Sequence, residues 1–154
     1  MRFTTKTEYG LVCLIYMAKH SDQKFDPITI KEMVKAEGFS PTYIEKILQS
    51  LRSANIVTSH QGNHGGYTLS KHPSLITLKE VIEALEGATF DVFCEPEVRK
   101  DITCNHFPMC GIKPLWGKTK EVLDQFYNSL TLEMLMNNTL DSSEAGPGPK
   151  MAAG

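Results

Sequence analysis

The sequence predicts a mainly α-helical chain with one small β-hairpin wing and a long C-terminal helix. Three observations carry this. Apolar residues recur at helical spacing through most of residues 8–51. Two short β-prone runs, 56–59 and 67–69, flank a glycine-rich turn. A broad apolar stripe then follows Pro114 to about residue 130.

Taken in order, a first helix is expected from about residue 8 to 20, with Leu11, Leu14, Ile15 and Ala18 on one face. Thr29 opens a second helix, because Glu32 three residues on completes a capping box, and Gly38 ends it. Ser40 can cap a third helix, and Pro41 suits its first turn, where a missing N–H costs nothing. Ile44, Ile47, Leu48 and Leu51 form the apolar face of that helix. Thr42, Tyr43, Glu45, Lys46, Gln49 and Arg52 lie on or beside the other. A short helix, a turn and a second helix with a polar outer face make a helix-turn-helix. The hairpin that follows, turning through Gln61-Gly62-Asn63-His64-Gly65-Gly66, then reads as a wing whose glycines suit a close backbone approach.

Thr77 and Glu80 form a second capping box, and the helix they open carries Leu78, Val81, Ile82 and Leu85 up to Gly87. Periodicity then fails from Ala88 to Pro114, a length unusual for a structureless loop without a function. Pro114 suits the start of the long helix. Its stripe of Leu115, Val122, Leu123, Phe126 and Leu130 is expected to lie on its own domain or, better for a helix of this length, on a second copy. Thr131 caps a short helix over 132–137. These elements divide the chain into a winged helix-turn-helix over 1–75, a loop and dimerisation helix over 76–140, and a Ser-, Gly-, Pro- and Ala-rich tail over 141–154 expected to be disordered.

Composition excludes several classes. The 41% hydrophobic and 22% charged residues are ordinary for a soluble domain. Neither a secretory leader nor an apolar run of membrane-spanning length occurs, so a cytoplasmic location is expected. The net charge of −2 hides an asymmetry: nine Lys or Arg stand against six Asp or Glu over 1–72, and seven against twelve over 73–154. A basic first part suits a nucleic-acid partner. No nucleophile–base pair, phosphate-binding glycine loop or nucleotide fingerprint is present, so an enzyme is not expected.

Cys94, Cys104 and Cys110 place three soft thiolate ligands within the aperiodic stretch, whereas Cys13 sits among apolar residues and reads as core filler. Zinc sites usually show tight Cys-x2-4-Cys pairs, and here the gaps are nine and five residues. The spacing therefore ranks an iron–sulfur cluster ahead of zinc, with a thiol switch third. Three cysteines leave one ligand to be supplied by His106 or by a carboxylate from elsewhere.

The order and spacing of several markers resemble the Rrf-type family of winged-helix repressors. The markers are Met1-Arg2-Phe3-Thr4-Thr5-Lys6, then Ser40-Pro41-Thr42-Tyr43-Ile44-Glu45-Lys46 with Leu51-Arg52, then Gly65-Gly66-Tyr67. Cys104-x5-Cys110, Leu115-Trp116 and Thr131-Leu132 complete them. The resemblance covers residues 1 to about 140. It implies a homodimer crossed through the long helix, with a recognition helix at about residues 40–53 in a major groove of a palindromic operator and the wing in the minor groove. It also implies DNA contacts from Arg2, Lys6, Ser40, Thr42, Tyr43, Glu45, Lys46, Arg52, Gln61 and His64. In its IscR-like pattern a histidine three residues after the last cysteine is the fourth cluster ligand, but Lys113 stands there. In its NsrR-like pattern a carboxylate at the position of Glu8 takes that role, which favours Glu8 over His106. The expected cofactor is then a [2Fe–2S] or [4Fe–4S] cluster that responds to nitric oxide, redox stress or iron supply. The first cysteine gap is longer than in those relatives, and Gln61 stands where IscR-like wings carry arginine.

Overall fold

The computed structural model describes residues 3–20, 27–92 and 110–140. Among the described residues, six helices and one hairpin follow in the order α1 (Thr5–His20), α2 (Ile30–Glu37), α3 (Pro41–Ser53), β1 (Val57–His60), β2 (Gly66–Leu69), α4 (Leu78–Glu86), α5 (Ile112–Ser129) and α6 (Leu132–Met136), with a 3₁₀ turn at Pro73–Leu75. This is the mainly helical winged architecture that the periodicity predicts. No helix among the described residues is long and apolar enough to cross a membrane.

The local signals act as expected at α2 and α4. Thr29 and Glu32 exchange both capping-box hydrogen bonds, as do Thr77 and Glu80. Gly38 closes α2 in the left-handed conformation at φ 72°. Ser40 occupies the N-cap position of α3, but its side chain makes no cap bond. Pro41 has no N–H, and the backbone carbonyl of Ser40 itself takes the amides of Tyr43 (3.1 Å) and Ile44 (3.0 Å). Two helices start earlier than the periodicity suggests: α1 at Thr5 and α5 at Ile112, which puts Pro114 inside the first turn of α5.

One core gathers the apolar faces of α1, α2 and α3 with residues from later in the chain. Leu14, Met33, Ile44, Ile47, Leu48 and Leu51 are fully buried in it, together with Ile56, Ile76, Val81 and Leu132. Cys13 also lies in this core, where burial, aided by the Glu37 charge, pushes its thiol up to about 11. It is the inert filler that its neighbours predict. A smaller cluster of Leu78, Ile82 and Tyr127 joins α4 to α5. The stripe on α5 therefore splits: Leu123 and Leu130 pack on this cluster, while Ile112, Leu115, Val122 and Phe126 stay about half exposed.

The hairpin is antiparallel, with Val57 opposite Leu69 and His60 opposite Gly66. Gly66 is required by the chain's own backbone, since a Cβ there would lie 2.7 Å from the carbonyl oxygen of Ile28. That contact accompanies a bridge in which Ile28 and Tyr67 exchange hydrogen bonds of 2.9 Å each way. The wing is thus tied back to the chain entering α2.

Candidate functional site

The residues expected to meet DNA come from three places that the fold connects. On α3, Thr42, Glu45, Lys46, Gln49 and Arg52 are exposed at spacings of three and four, so they form one outer stripe opposite the buried Ile44–Leu51 face. The Arg52 guanidinium donates to Ser59 Oγ at 3.3 Å, which links the end of α3 to β1. Gln61 and His64 are exposed in the turn between the strands. Ser40 is exposed at the entrance to α3.

At the start of α1 the geometry is different. Arg2 lies outside the described residues. Lys6 is half-buried, and its ammonium donates to the carbonyl of Leu85 at 3.0 Å. Tyr43 is also half-buried; its hydroxyl lies 3.1 Å from Thr5 Oγ1. Tyr9 stacks on Phe39, with centroids 4.0 Å apart and planes within 8°, and meets Tyr43 edge-on at 5.6 Å. These aromatic contacts join α1 to Phe39, just before α3, and to Tyr43 in the first turn of α3. Tyr9 and Phe39 carry no local sequence signal for this role, because the contact joins positions 30 residues apart that only the fold brings together.

Of the expected cluster ligands, Cys94, Cys104 and the alternative His106 lie outside the described residues. Cys110 is a half-buried free thiol just before Gly111, the N-cap of α5. Glu8 is exposed in the first turn of α1, and among the described residues its carboxylate makes no hydrogen bond or ion pair. Among the described residues no three Cys, His, Asp or Glu side chains gather into a metal site. A free soft thiol and an uncommitted carboxylate are nonetheless the donor types that a cluster with one non-cysteine ligand needs.

Two further carboxylates organise this half of the molecule. Asp124 on α5 accepts from the buried Thr89 hydroxyl and lies 3.4 Å from Lys120 and 3.8 Å from Lys79. Burial raises its pKa, but the Thr89 bond and the Lys charges outweigh that and hold it below the usual range. Glu86 ends α4 and accepts from the first turn of α1.

The chain matches the family model described as Rrf2, iron-dependent transcriptional regulator, over residues 3–138. It is 32% identical to protein rrf2 of Nitratidesulfovibrio vulgaris over 138 residues, 90% of this chain and 89% of that one. Its fold matches the structure of CymR, the global cysteine regulator of B. subtilis, with a TM-score of 0.69 and 28% identity, covering 90% of this chain and 98% of the other. It also matches T. potens IscR, with a TM-score of 0.66 and 25% identity, over 100% of this chain and 94% of the other. The chain therefore belongs to the Rrf2 family of transcriptional regulators, which are DNA-binding proteins and not enzymes.

Proposed function

We propose that the chain is a cytoplasmic, homodimeric repressor of double-stranded DNA whose affinity for a palindromic operator is set by an iron–sulfur cluster. Cys94, Cys104 and Cys110 of one protomer and Glu8 of the partner subunit would hold it. When bound, such a cluster supplies iron and sulfide that react with nitric oxide or oxidants, or are lost when iron is scarce. The observation that carries the reading is that Cys110 is a free, half-buried thiol while Glu8, exposed at the start of α1, has a carboxylate with no partner among the described residues. The iron-dependent family description supports it.

The chain's own residues suggest how the signal is read. Glu8 precedes Tyr9, and Tyr9 stacks on Phe39 and touches Tyr43. Holding the Glu8 carboxylate holds this turn of α1, and α3 with it. Releasing the carboxylate lets α1 and α3 shift together against α5. In a dimer joined through α5, that changes the separation of the two recognition helices, and each mismatched base contact costs about 1–3 kcal/mol. Thr42, Glu45, Lys46 and the wing residues Gln61 and His64 are proposed to face bases and phosphates, with Ser40, Tyr43, Lys6 and Arg52 fixing the register.

The test is an absorption spectrum with iron and sulfide analysis on protein purified without oxygen. Brown protein that loses its colour in Cys110→Ala, and whose spectrum and DNA affinity respond to Glu8→Ala, supports the reading. Colourless protein free of iron and sulfide overturns it. A second reading, a cluster-free thiol switch, is favoured by the likeness to the cysteine regulator CymR together with the free Cys110 thiol. It predicts colourless protein whose DNA binding is lost on mild oxidation and protected in Cys110→Ser. Colourless protein that contains zinc would instead indicate a zinc site at the same cysteines.

A further inference from the structure

Glu86 closes α4, and Gly87, at φ 92°, turns the chain away from the helix. The Glu86 Oε1 accepts three hydrogen bonds from the start of α1: from Thr4 N at 3.2 Å, Thr4 Oγ1 at 2.5 Å and Thr7 Oγ1 at 2.5 Å. Thr7 is 3% exposed, so water competes weakly for that bond. In return, Lys6 Nζ donates to the Leu85 carbonyl in the last turn of α4. An anion therefore stands at the positive end of α1 and a cation at the negative end of α4, and the two helix termini cap each other.

The packing around this clamp leaves little slack. A Cβ on Gly10 would lie 2.4 Å from Leu85 Cδ1, so the Leu85 side chain of α4 packs directly on the α1 backbone at this glycine. Ahead of the clamp, Thr5 and Tyr9 hand the position of α1 to Tyr43 and Phe39 at the start of α3. Behind it, Thr89 is tied to Asp124 of α5. The four residues 86–89 are thus fixed to α1 at one end and to α5 at the other.

We propose that Glu86 is the positioning residue that couples the sensing half of the molecule to the recognition helix, by holding the first turn of α1, with Glu8 and Tyr9, in its DNA-binding orientation. This rests on the regulatory reading above. Without the clamp, Leu85 still packs α4 on Gly10, but Gly87 leaves the residues that follow it free to move relative to α1. The sensing half and the recognition helix then change state independently.

The experiment compares wild type, Glu86→Ala, Glu86→Gln and the Thr4→Val/Thr7→Val pair, purified without oxygen. The probe is a DNA duplex selected from a random pool by the wild-type protein. Each protein is assayed for iron and sulfide, for near-ultraviolet circular dichroism, and for affinity before and after cluster removal. A wild-type ratio of affinities in the usual span of about 5- to 150-fold should fall to within about twofold of unity in Glu86→Ala, with iron content unchanged. The Thr4→Val/Thr7→Val pair should reproduce that loss, and adding Glu86→Ala to it should change nothing further. Glu86→Gln keeps an acceptor oxygen and should retain part of the ratio. It also answers the question if the alanine variant does not fold. A full ratio in Glu86→Ala, or equal weakening of both states, overturns the inference and leaves the regulatory reading standing. Wild-type protein without iron and sulfide, or with a ratio of one, overturns both.

Discussion

Helices α3 and α5 are both amphipathic, yet the chain uses them in opposite ways. In α3 the apolar face of Ile44, Ile47, Leu48 and Leu51 is fully buried within the same chain, and what remains outside is polar. In α5, an 18-residue helix, Tyr127 alone is buried, while Ile112, Leu115, Val122 and Phe126 are 54%, 56%, 53% and 49% exposed. With Thr119 these four residues keep a spacing of three, four, three and four, the repeat of a helix–helix seam. The difference teaches that one helix is complete in a single chain and presents chemistry, whereas the other is incomplete and presents a packing surface. A second copy of the chain supplies the matching surface in the dimer proposed above.

The comparison breaks most visibly in stability. Leu48→Ala should cost about 2–5 kcal/mol, because a fully buried leucine leaves a cavity. Leu115→Ala, at 56% exposure, should leave the unfolding of dilute, monomeric protein within about 0.5 kcal/mol of wild type. Urea melts at low and high protein concentration measure both. Equal losses in the two variants at low concentration would show that α5 is buried within one chain after all.

Association comes next. Val122→Asp with Phe126→Asp places two charges in the exposed seam. The protein should elute as a monomer and keep its helical circular dichroism. Its DNA affinity should fall roughly 10²-fold or more, as two linked half-sites become one. A dimer that survives both aspartates would place the interface elsewhere. On α3, by contrast, Lys46→Ala removes an exposed cation and should leave association and stability unchanged. DNA binding should weaken by about 1–3 kcal/mol if Lys46 reads a base, or uniformly across sequences with a shallower salt dependence if it contacts a phosphate. Unchanged affinity at every salt concentration would remove Lys46 from the interface.

The same contrast explains what the sequence makes legible. Caps written within four residues, Thr29 with Glu32 and Thr77 with Glu80, are readable and appear as expected, as does the burial of Ile44 through Leu51. The first turn of α1 is only half readable: Thr4 Oγ1 accepts locally from Lys6 N, but the Glu86 carboxylate that ties Thr4 and Thr7 to α4 lies about 80 positions away. The split of the α5 stripe is only partly legible: the three-four spacing sets Val122 and Phe126 apart from Leu123 and Leu130, but that α4 is what covers the latter two follows from the fold alone. For the candidate site, exposure on α3 follows from periodicity. The engagement of Lys6, Tyr43 and Arg52 with Leu85, Thr5 and Ser59 depends on tertiary neighbours. Cys94, Cys104 and His106 lie outside the described residues, so their share of the site rests on the sequence alone.

The smallest effect is acid sensitivity, and it should reside in the capping carboxylates. Burial raises the Glu80 pKa, but Lys71, 2.6 Å away, and the Thr77 backbone amide outweigh it and hold the group below its ordinary value of 4.5. At Glu32 the Thr29 hydrogen bonds dominate and lower it likewise. A depressed folded-state pKa means that the unfolded chain binds the proton more tightly. The stabilisation is therefore complete above about 4.5 and is lost as pH falls through the folded value. Thermal midpoints should stay flat from pH 7 down to about 5 and drop below that. Glu80→Gln should lower the midpoint at neutral pH and flatten the acid drop, since the group that titrates is gone. Both carboxylates are partly exposed, so solvent screens the ion pair and the hydrogen-bonded cap carries most of the effect. Thr77→Ala, which removes the other half of that box, should cost roughly 1 kcal/mol. An acid drop in Glu80→Gln as steep as in wild type would assign the titration to other carboxylates, with Glu86 the next to test by the same substitution.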